Sequence, residues 1–447
     1  MHNAKKCDKI KQLKNKGMSN IYTFHITTLG CRVNQYESRA IAEGLVARGL
    51  IESQSPNNCD LYIINTCTVT AESSRKSRQM IRRAASHKKD AVVIVAGCYS
   101  EISTYEVASL ECADLIIGTG DKTSVCDKAI DLLSKREEKN KTEISISAKD
   151  KYDQYTISTP EKARTYLKIE DGCNGKCAYC IIPKARGPVR SKQPEIAVDE
   201  AKKLAAGGAK EIVLTGIEIS GYQYDLIDLI KNISEIPEIE RIRLGSLEPS
   251  MLKEELVRAL ASIDKLMPHF HLSIQSGCSR TLAAMRRKYN AQMAFEAIER
   301  IRRYFPSVML TADLIVGFPG ETEADFLETL EFLRKSQFLH VHIFPYSIRP
   351  DTEAASMKEQ LSKPEKDARL RRASTLQDEI VSNILSVIVE KGDPIPVLIE
   401  SENDGVLSGH SDNFIEVEAI GDSSYVSQIV NVLPIRAEKG VLKAKII

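Results

Sequence analysis

The chain has 447 residues, which at about 150 per domain is enough for roughly three domains with buried cores. Its 43% hydrophobic and 28% charged residues are the composition of an ordinary globular protein and exclude wholesale disorder, collagen and coiled coil. Lys plus Arg (62) balance Asp plus Glu (61) to a formal charge of +1, so no whole-molecule field draws the protein to nucleic acid or anionic membrane, and any polyanion site must be local.

Residues 1–20 carry six Lys against one Asp without helical or strand periodicity, and read as a disordered basic leader in which Met18 is a second candidate start. There is no signal-type apolar stretch and no run near the ~18 apolar residues of a membrane span, so the expectation is a cytoplasmic protein without a membrane partner. In that reducing compartment eleven Cys, an odd count, point to metal or redox chemistry before disulfides.

From 21 to 133, short apolar runs at 21–28, 61–65, 92–96 and 115–117 alternate with amphipathic stretches such as 37–48, the βαβ signature of a small parallel sheet. The polar, poorly periodic segment 134–160 reads as a linker or a polar strand pair. Within 161–362, six strand candidates (164–170, 211–216, 241–246, 270–275, 309–316 and 339–346) are each followed by a helical pattern. That succession predicts a partial (β/α)6 barrel with its chemistry at the carboxyl ends of the strands. Ser362 and Pro364 open a connecting helix over 363–392 that Gly392 and Pro394 close. The remainder, 393–447, alternates in short strands broken by NDG, SGH and GD turns, as a small all-β barrel would. The fold class is therefore α/β with a β module at the C-terminal end.

The strongest motif is DGCNGKCAYC, where Cys173, Cys177 and Cys180 are spaced C-x3-C-x2-C directly after the first strand of the six. Three thiolates on one short loop can hold three irons of a cubane cluster, and the absent fourth Cys leaves one iron open to a small-molecule ligand. A structural zinc site would need a fourth ligand from far away, because no His lies between His87 and His269 and the flanking cysteines are Cys126 and Cys278. A second set is dispersed: Cys31, Cys67 and Cys98 each follow an apolar strand (HITTLGC, LYIINTC, VVIVAGC). Neighbouring parallel strands bring such ends to one edge, where the three could share a cluster, although Cys is also a common small core residue. Cys59, Cys112 and Cys126 read as core.

DGCNGKCAYCIIPKARGPVRS resembles the radical S-adenosylmethionine superfamily, and TLGCRVNQYES, INTCTVT and AGCYS with it resemble the methylthiotransferases, over nearly the whole chain from residue 21. That resemblance implies an N-terminal cluster domain, a central radical domain and a C-terminal TRAM module. It implies that Cys173, Cys177 and Cys180 ligate the [4Fe–4S] cluster that binds S-adenosylmethionine, and that Cys31, Cys67 and Cys98 hold an auxiliary [4Fe–4S] cluster. One cofactor molecule donates a methyl group to sulfur associated with the auxiliary cluster. A second is reductively split to a 5′-deoxyadenosyl radical that removes hydrogen from an unactivated C–H, and methylthio is inserted; no side chain can supply that electron. An electron donor such as flavodoxin or ferredoxin is implied. Candidate cofactor-binding residues lie at strand ends: Tyr179, Gly216 and Glu218 in LTGIE, Ser246 beside Glu248, Gln275 beside Ser276, and Gly317, Phe318 and Pro319 in DLIVGFPGE. Each is equally readable as a turn or core residue.

TLGCRVNQYES, RIRLGSLEP and TADLIVGFPGE look most like the branch that converts N6-threonylcarbamoyladenosine at position 37, beside the tRNA anticodon, to its 2-methylthio form. Related branches act on isopentenyladenosine in tRNA or on a ribosomal-protein aspartate, and a non-catalytic metal-binding RNA-binding protein is the alternative of another class. The partner is thus the anticodon loop of tRNA. TRAM modules are credited with RNA binding, yet beyond Pro394 four basic residues face eight acidic ones, a net charge of −4 that gains nothing from a phosphate backbone. His410 and Asn413 could make a local contact. Better phosphate candidates are Arg75, Lys76, Arg78, Arg82 and Arg83 after Cys67, Arg286 and Arg287 with Lys288, and Arg186 and Arg190 beside the radical loop.

Overall fold

The computed structural model describes residues 21–87, 91–120, 122–135 and 142–447; the leader expected at 1–20 lies outside them. They form two compact units, the described residues of 21–157 with 181–188 and residues 158–180 with 189–447. Among the described residues no helix is long and apolar enough to cross a membrane.

In the first unit the apolar runs of the sequence become β1 (Thr23–Thr28), β3 (Leu61–Thr66), β4 (Val92–Gly97) and β5 (Leu115–Ile117), with the short β2 (Ile51–Glu52) and β6 (Glu143–Ser145) at the two edges. All pair in parallel, in the order β2-β1-β3-β4-β5-β6. β3 and β4 are buried along their whole length, as strands covered by helices on both faces must be. The helices are α1 (Arg32–Ala47), α2 (Ala71–Ala84), α3 (Cys98–Ile102), α4 (Thr104–Ser109) and α5 (Val125–Ser134). Two apolar layers result. Phe24, Ile63, Ile94 and Leu115 lie on the side of α1 and α5, and Tyr62, Ile64, Val93, Val95 and Ile81 on the other. The segment read as a linker or polar strand pair supplies β6; a strand of three residues, two of them exposed, carries too little apolar periodicity to be legible.

In the second unit β7 (Arg164–Lys168) is followed by a two-residue strand, β8 (Glu170–Asp171), and then by the cysteine loop. The helix α6 (Ile182–Arg186) follows Cys180 directly and belongs to the first unit. The chain returns through β9 (Arg190–Ser191), which pairs with β8. Then α7 (Pro194–Ala206), β10 (Glu211–Thr215), α8 (Leu226–Ser234), β11 (Arg241–Leu244), β12 (Ser246–Leu247), α9 (Glu254–Ala261), β13 (His269–Gln275), α10 (Ser279–Ala284), α11 (Ala291–Tyr304), β14 (Met309–Val316), α12 (Glu323–Ser336) and β15 (His340–Pro345) alternate in sequence. The parallel sheets β11-β10-β7 and β12-β13-β14-β15 run on from one another, because Gly245 merely interrupts one strand between β11 and β12; the six predicted strands build the expected partial barrel. α13 (Lys363–Lys391) starts at Ser362, whose hydroxyl accepts from Glu365 N while Glu365 accepts from Ser362 N, and stops at Gly392 with φ +64°. The last segment closes a barrel in the order β16-β17-β18-β20-β19: β16 (Ile395–Asn403), β17 (Val406–Ser411), β18 (Glu416–Ile420), β19 (Ile429–Glu438) and β20 (Val441–Ile446).

The β17–β18 loop lies against the amino-terminal ends of the radical-domain strands. Arg241 donates to the carbonyls of His410 (3.1 Å) and Pro396 (3.0 Å), and Arg243 to those of Asp412 (2.7 Å) and Ser411 (2.6 Å). Phe414 stacks on His269 (4.2 Å between centroids) and His410 (4.6 Å), with the Arg164 and Arg243 guanidiniums each 5.2 Å from its ring centre. Its backbone sits at φ +74°, a conformation that costs an L residue roughly 1–2 kcal/mol, so the ring contacts must outweigh that. Phe414→Ala is expected to cost about 2 kcal/mol of unfolding free energy for a half-buried ring, measurable by denaturant titration. His410 and Asn413, weighed as RNA contacts, are engaged inside this unit: His410 Nδ1 lies 2.7 Å from Glu400, and Asn413 Nδ2 donates to Ser307 O.

Candidate active site

The cysteine loop leaves β8 at the carboxyl end of the barrel, as the strand pattern requires. Cys173, Cys177 and Cys180 are half-buried. Donors are already aimed at two of the sulfurs: Gly175 N lies 3.2 Å from Cys173 Sγ, and Arg287 Nη1 3.2 Å from Cys177 Sγ. Such donors suit thiolates bound to iron and raise a cluster's potential. Burial pushes the Cys173 thiol above its usual value, with Glu218 among the nearby charges that add to this. The strand-end residues gather beside the loop. Gly216 has no room for a side chain, since a Cβ there would lie 2.5 Å from Glu170 Oε2. Glu218 N donates to that same oxygen (2.9 Å), and Ser220 Oγ donates to Glu218 Oε1 (2.6 Å). Ser246 opens β12, and Ser220 Oγ also accepts from the Glu248 amide (3.0 Å). Gln275 ends β13 at φ +64°.

On the adjoining strand Gly317 N donates to Glu321 Oε2 (2.7 Å), and Phe318 and Pro319 are buried. Phe318 meets Tyr346 edge-on at 5.4 Å, in an apolar cluster with Ala178, Met285 and Tyr179. Sequence reasoning missed Glu170. Burial pushes its carboxyl up to about 8, Glu218 is pushed up to about 7 by the same cause, and Glu170 Oε1 has no hydrogen-bond partner among the described residues. An acid pair, Glu170-Asp171, just before the cysteine motif was the available signal. Glu170 is fully buried and Glu218 half-buried, and the desolvation that raises both would be offset by a cationic ligand.

Cys31, Cys67 and Cys98 follow β1, β3 and β4, three adjacent strands of the first sheet. The order reverses between β1 and β3, so the set sits at the switch point where open α/β sheets bind ligands. Cys67 and Cys98 are buried and Cys31 is exposed. Burial raises both buried thiols, Cys98 to about 11; Cys67 also feels the charge of Cys31, and Cys98 that of Cys67 and Cys31. Among the described residues no three His, Cys, Asp or Glu converge as the ligands of a single metal ion would. Three thiols at adjacent strand ends are a donor set that a [4Fe–4S] cluster could use. Cys59, Cys112 and Cys126 are core residues, as read from the sequence.

The nine basic candidates divide. Lys76, Arg82 and Arg83 on α2 are exposed; Arg75 is exposed with Glu72 (2.6 Å), and Arg78 reaches the Tyr99 hydroxyl (3.2 Å). Arg75, Arg78, Gln79, Arg82 and Arg83 line a groove of about 490 Å³. Arg286 is exposed and paired with Glu353 (2.8 Å). The other three are corrected: Arg186, Arg190 and Arg287 are not surface cations. Arg186 lies on Glu37 (2.7 Å) with no exposed side chain, Arg190 on Asp171 (3.3 Å), and Arg287 on Glu248 (3.2 Å) and Cys177. Arginines close to cluster loops were read as phosphate ligands, but buried carboxylates on neighbouring elements claim them.

Two family models match the chain, the radical SAM superfamily over residues 167–333 and the uncharacterized protein family UPF0004 over residues 23–118. Over 428 residues, 93% of this chain and 93% of the relative, it is 35% identical to the threonylcarbamoyladenosine tRNA methylthiotransferase MtaB of Bacillus subtilis. The chain belongs to the radical S-adenosylmethionine methylthiotransferase family. The MtaB of Aquifex aeolicus is 36% identical over 91% of this chain and 98% of its own. A tRNA-2-methylthio-N(6)-dimethylallyladenosine synthase of Caldicellulosiruptor saccharolyticus is 32% identical over 95% and 92%. Among solved structures, the radical S-adenosylmethionine methyltransferase TsrM from Kitasatospora setae covers 75% of this chain and 77% of its own at a TM-score of 0.58 and 15% identity, which shows a shared fold. This methylthiotransferase is therefore a transferase that uses S-adenosylmethionine and a [4Fe–4S] cluster.

Proposed function

We propose that this methylthiotransferase acts on tRNA, converting N6-threonylcarbamoyladenosine beside the anticodon to its 2-methylthio form. Identity of 35–36% along nearly the whole chain to two relatives named for that substrate carries the reading, against 31–34% to three relatives named for dimethylallyladenosine. Cys173, Cys177 and Cys180 hold the cluster that binds the cofactor, and Cys31, Cys67 and Cys98 hold a second [4Fe–4S] cluster. When bound, these groups supply one-electron cleavage of the cofactor and delivery of methylthio, which no side chain can do.

The chain's own residues bind, orient and shield. Glu170 and Glu218 offer buried acceptors to the cofactor's cationic end, with Ser246 and Gln275 at the neighbouring strand ends, and Gly317, Phe318, Pro319 and Tyr179 form the apolar wall for its adenine. Arg287 neutralises Cys177 and Glu248 from inside. Arg75, Lys76, Arg78, Arg82 and Arg83, with Arg286, take tRNA phosphates; flavodoxin or ferredoxin brings the electron, in the cytoplasm where both meet tRNA.

Mass spectrometry of nucleosides after anaerobic reaction with S-adenosylmethionine and reductant tests the substrate. Threonylcarbamoylated tRNA should gain methylthio and unmodified tRNA should not. Methylthiolation of dimethylallyladenosine alone would move the chain to the other branch.

A further inference from the structure

The strands β13, β14 and β15 of the second unit send alternate residues to two faces. One face carries Phe270, Leu272, Leu310, Ala312, Leu314 and Val341, all buried. Phe270 meets Phe305, at the end of α11, edge-on at 5.0 Å, so this is the face under the helices. The parallel register fixes the opposite face: Thr311 stands beside His271 and His340, Asp313 beside His342, and Ile315 beside Phe344. Parallel strands covered on both sides read as continuous apolar runs, and the inside of an α/β barrel is normally filled by branched apolar side chains. This inner face is built instead of histidines, an aspartate and one phenylalanine. Along β15 it is open to solvent: His340, His342 and Phe344 are exposed, Phe344 by 42%, whereas Val341 on the same strand is buried.

The face is ordered from within. His271 Nε2 lies 3.2 Å from Asp313 Oδ2 and its Nδ1 2.9 Å from Thr311 Oγ1. With Nε2–H donated to the carboxylate, Nδ1 accepts from the hydroxyl, and Asp313 is held in one orientation. On β15 the rings of His340 and His342 meet at 4.5 Å, and those of His342 and Phe344 at 6.5 Å. The upper end of the face joins the wall beside the cysteine loop, because Ile315 packs, as Tyr179 does, on the apolar cluster of Ala178, Phe318 and Tyr346.

An exposed aromatic ring with a carboxylate and imidazoles on the same face matches the chemistry of a nucleoside, which offers a π face for stacking and N–H and O–H groups for hydrogen bonding. A base that undergoes chemistry must leave the stack of its own strand, and a protein surface has to replace the stacking it loses. We propose that the inner face of β13–β15 is the docking site of the target nucleoside, its base stacked on Phe344 and its N–H or O–H groups accepted by Asp313, which His271 orients. This rests on the reading that the chain acts on a nucleoside of tRNA.

The test uses the full chain with its clusters reconstituted anaerobically, and two anticodon stem-loop RNAs that differ only at position 37, one carrying N6-threonylcarbamoyladenosine and the other an abasic site. Fluorescence anisotropy gives the ratio of the two affinities, in which phosphate contacts common to both RNAs cancel. The parent should prefer the RNA with the base. Phe344→Ala should reduce that preference by roughly 5- to 150-fold, the range of base–aromatic stacking. Phe344→Leu, which keeps apolar bulk without a π face and so guards against a packing defect, should reduce it as well, and Phe344→Tyr should retain it. An unchanged preference in Phe344→Ala would overturn the site, and a preference retained by Phe344→Leu would overturn the stacking. A parent that binds both RNAs equally would defeat the substrate reading, and the site with it.

Discussion

Replacing Cys177 by alanine is expected to bring 5′-deoxyadenosine formation to background, with iron falling from about eight to about four atoms per chain if the chain carries the two clusters proposed above. The size of the effect follows from what the thiolate does. On the proposed assignment it holds an iron of the cluster that delivers the electron, and residues 172–181 contain no fourth cysteine to replace it. The loss should not come from unfolding, because the side chain is half-exposed and its sulfur accepts from Arg287, which keeps Glu248 and the Ser273 carbonyl as partners. Circular dichroism of the variant should therefore match the parent. Liquid chromatography of the anaerobic reaction reads the product, and undiminished 5′-deoxyadenosine would show that the cofactor is cleaved elsewhere.

Reversing two charges on α2, Arg82→Glu with Arg83→Glu, is expected to weaken tRNA binding by about 10- to 100-fold near physiological salt and to flatten the dependence of log affinity on log salt by about two units. Both guanidiniums are exposed at the last turn of a helix, beside a groove that three other residues of the same helix complete. Both lie far from the buried face of that helix, which is made by Ser74, Ser77, Ile81 and Ala84, so the fold should be unaffected. Filter binding or fluorescence anisotropy at several salt concentrations measures the slope. An unchanged slope would remove this helix from the RNA surface, whatever the reaction on the bound substrate.

The six strands of the barrel were legible because each is a compact apolar run with its helix behind it; the runs at 309–316 and 211–216 coincide with β14 and β10 to within a residue. The same holds for the cysteines, whose positions after apolar runs are a local property. What could not be read is anything decided by a partner from another part of the chain. Arg186, Arg190 and Arg287 look like the exposed arginines of α2 in a one-dimensional string, and only the fold brings Glu37, Asp171 and Glu248 against them. Glu170 is the converse: an acid in a polar stretch that tertiary packing buries under the Glu218 amide. β6 was legible only as one half of an alternative, a linker or a polar strand pair, because a strand that short is specified by its neighbour β5 rather than by its own residues.

The contact between the β17–β18 loop and the barrel arginines ties two segments of the sequence to a common fate. Arg241 and Arg243 have spent their hydrogen bonds on carbonyls of a separate module, and Arg164 shares its charge with Glu400 of that module (3.2 Å). A chain that discarded or exchanged residues 393–447 would strip Arg241 and Arg164 of these acceptors and leave Arg243 with Glu211 alone (2.7 Å), a penalty of about 1–3 kcal/mol for each orphaned group. The appendage is thus grafted in, and swapping it between homologous enzymes should succeed only where the recipient's floor is rewritten to match.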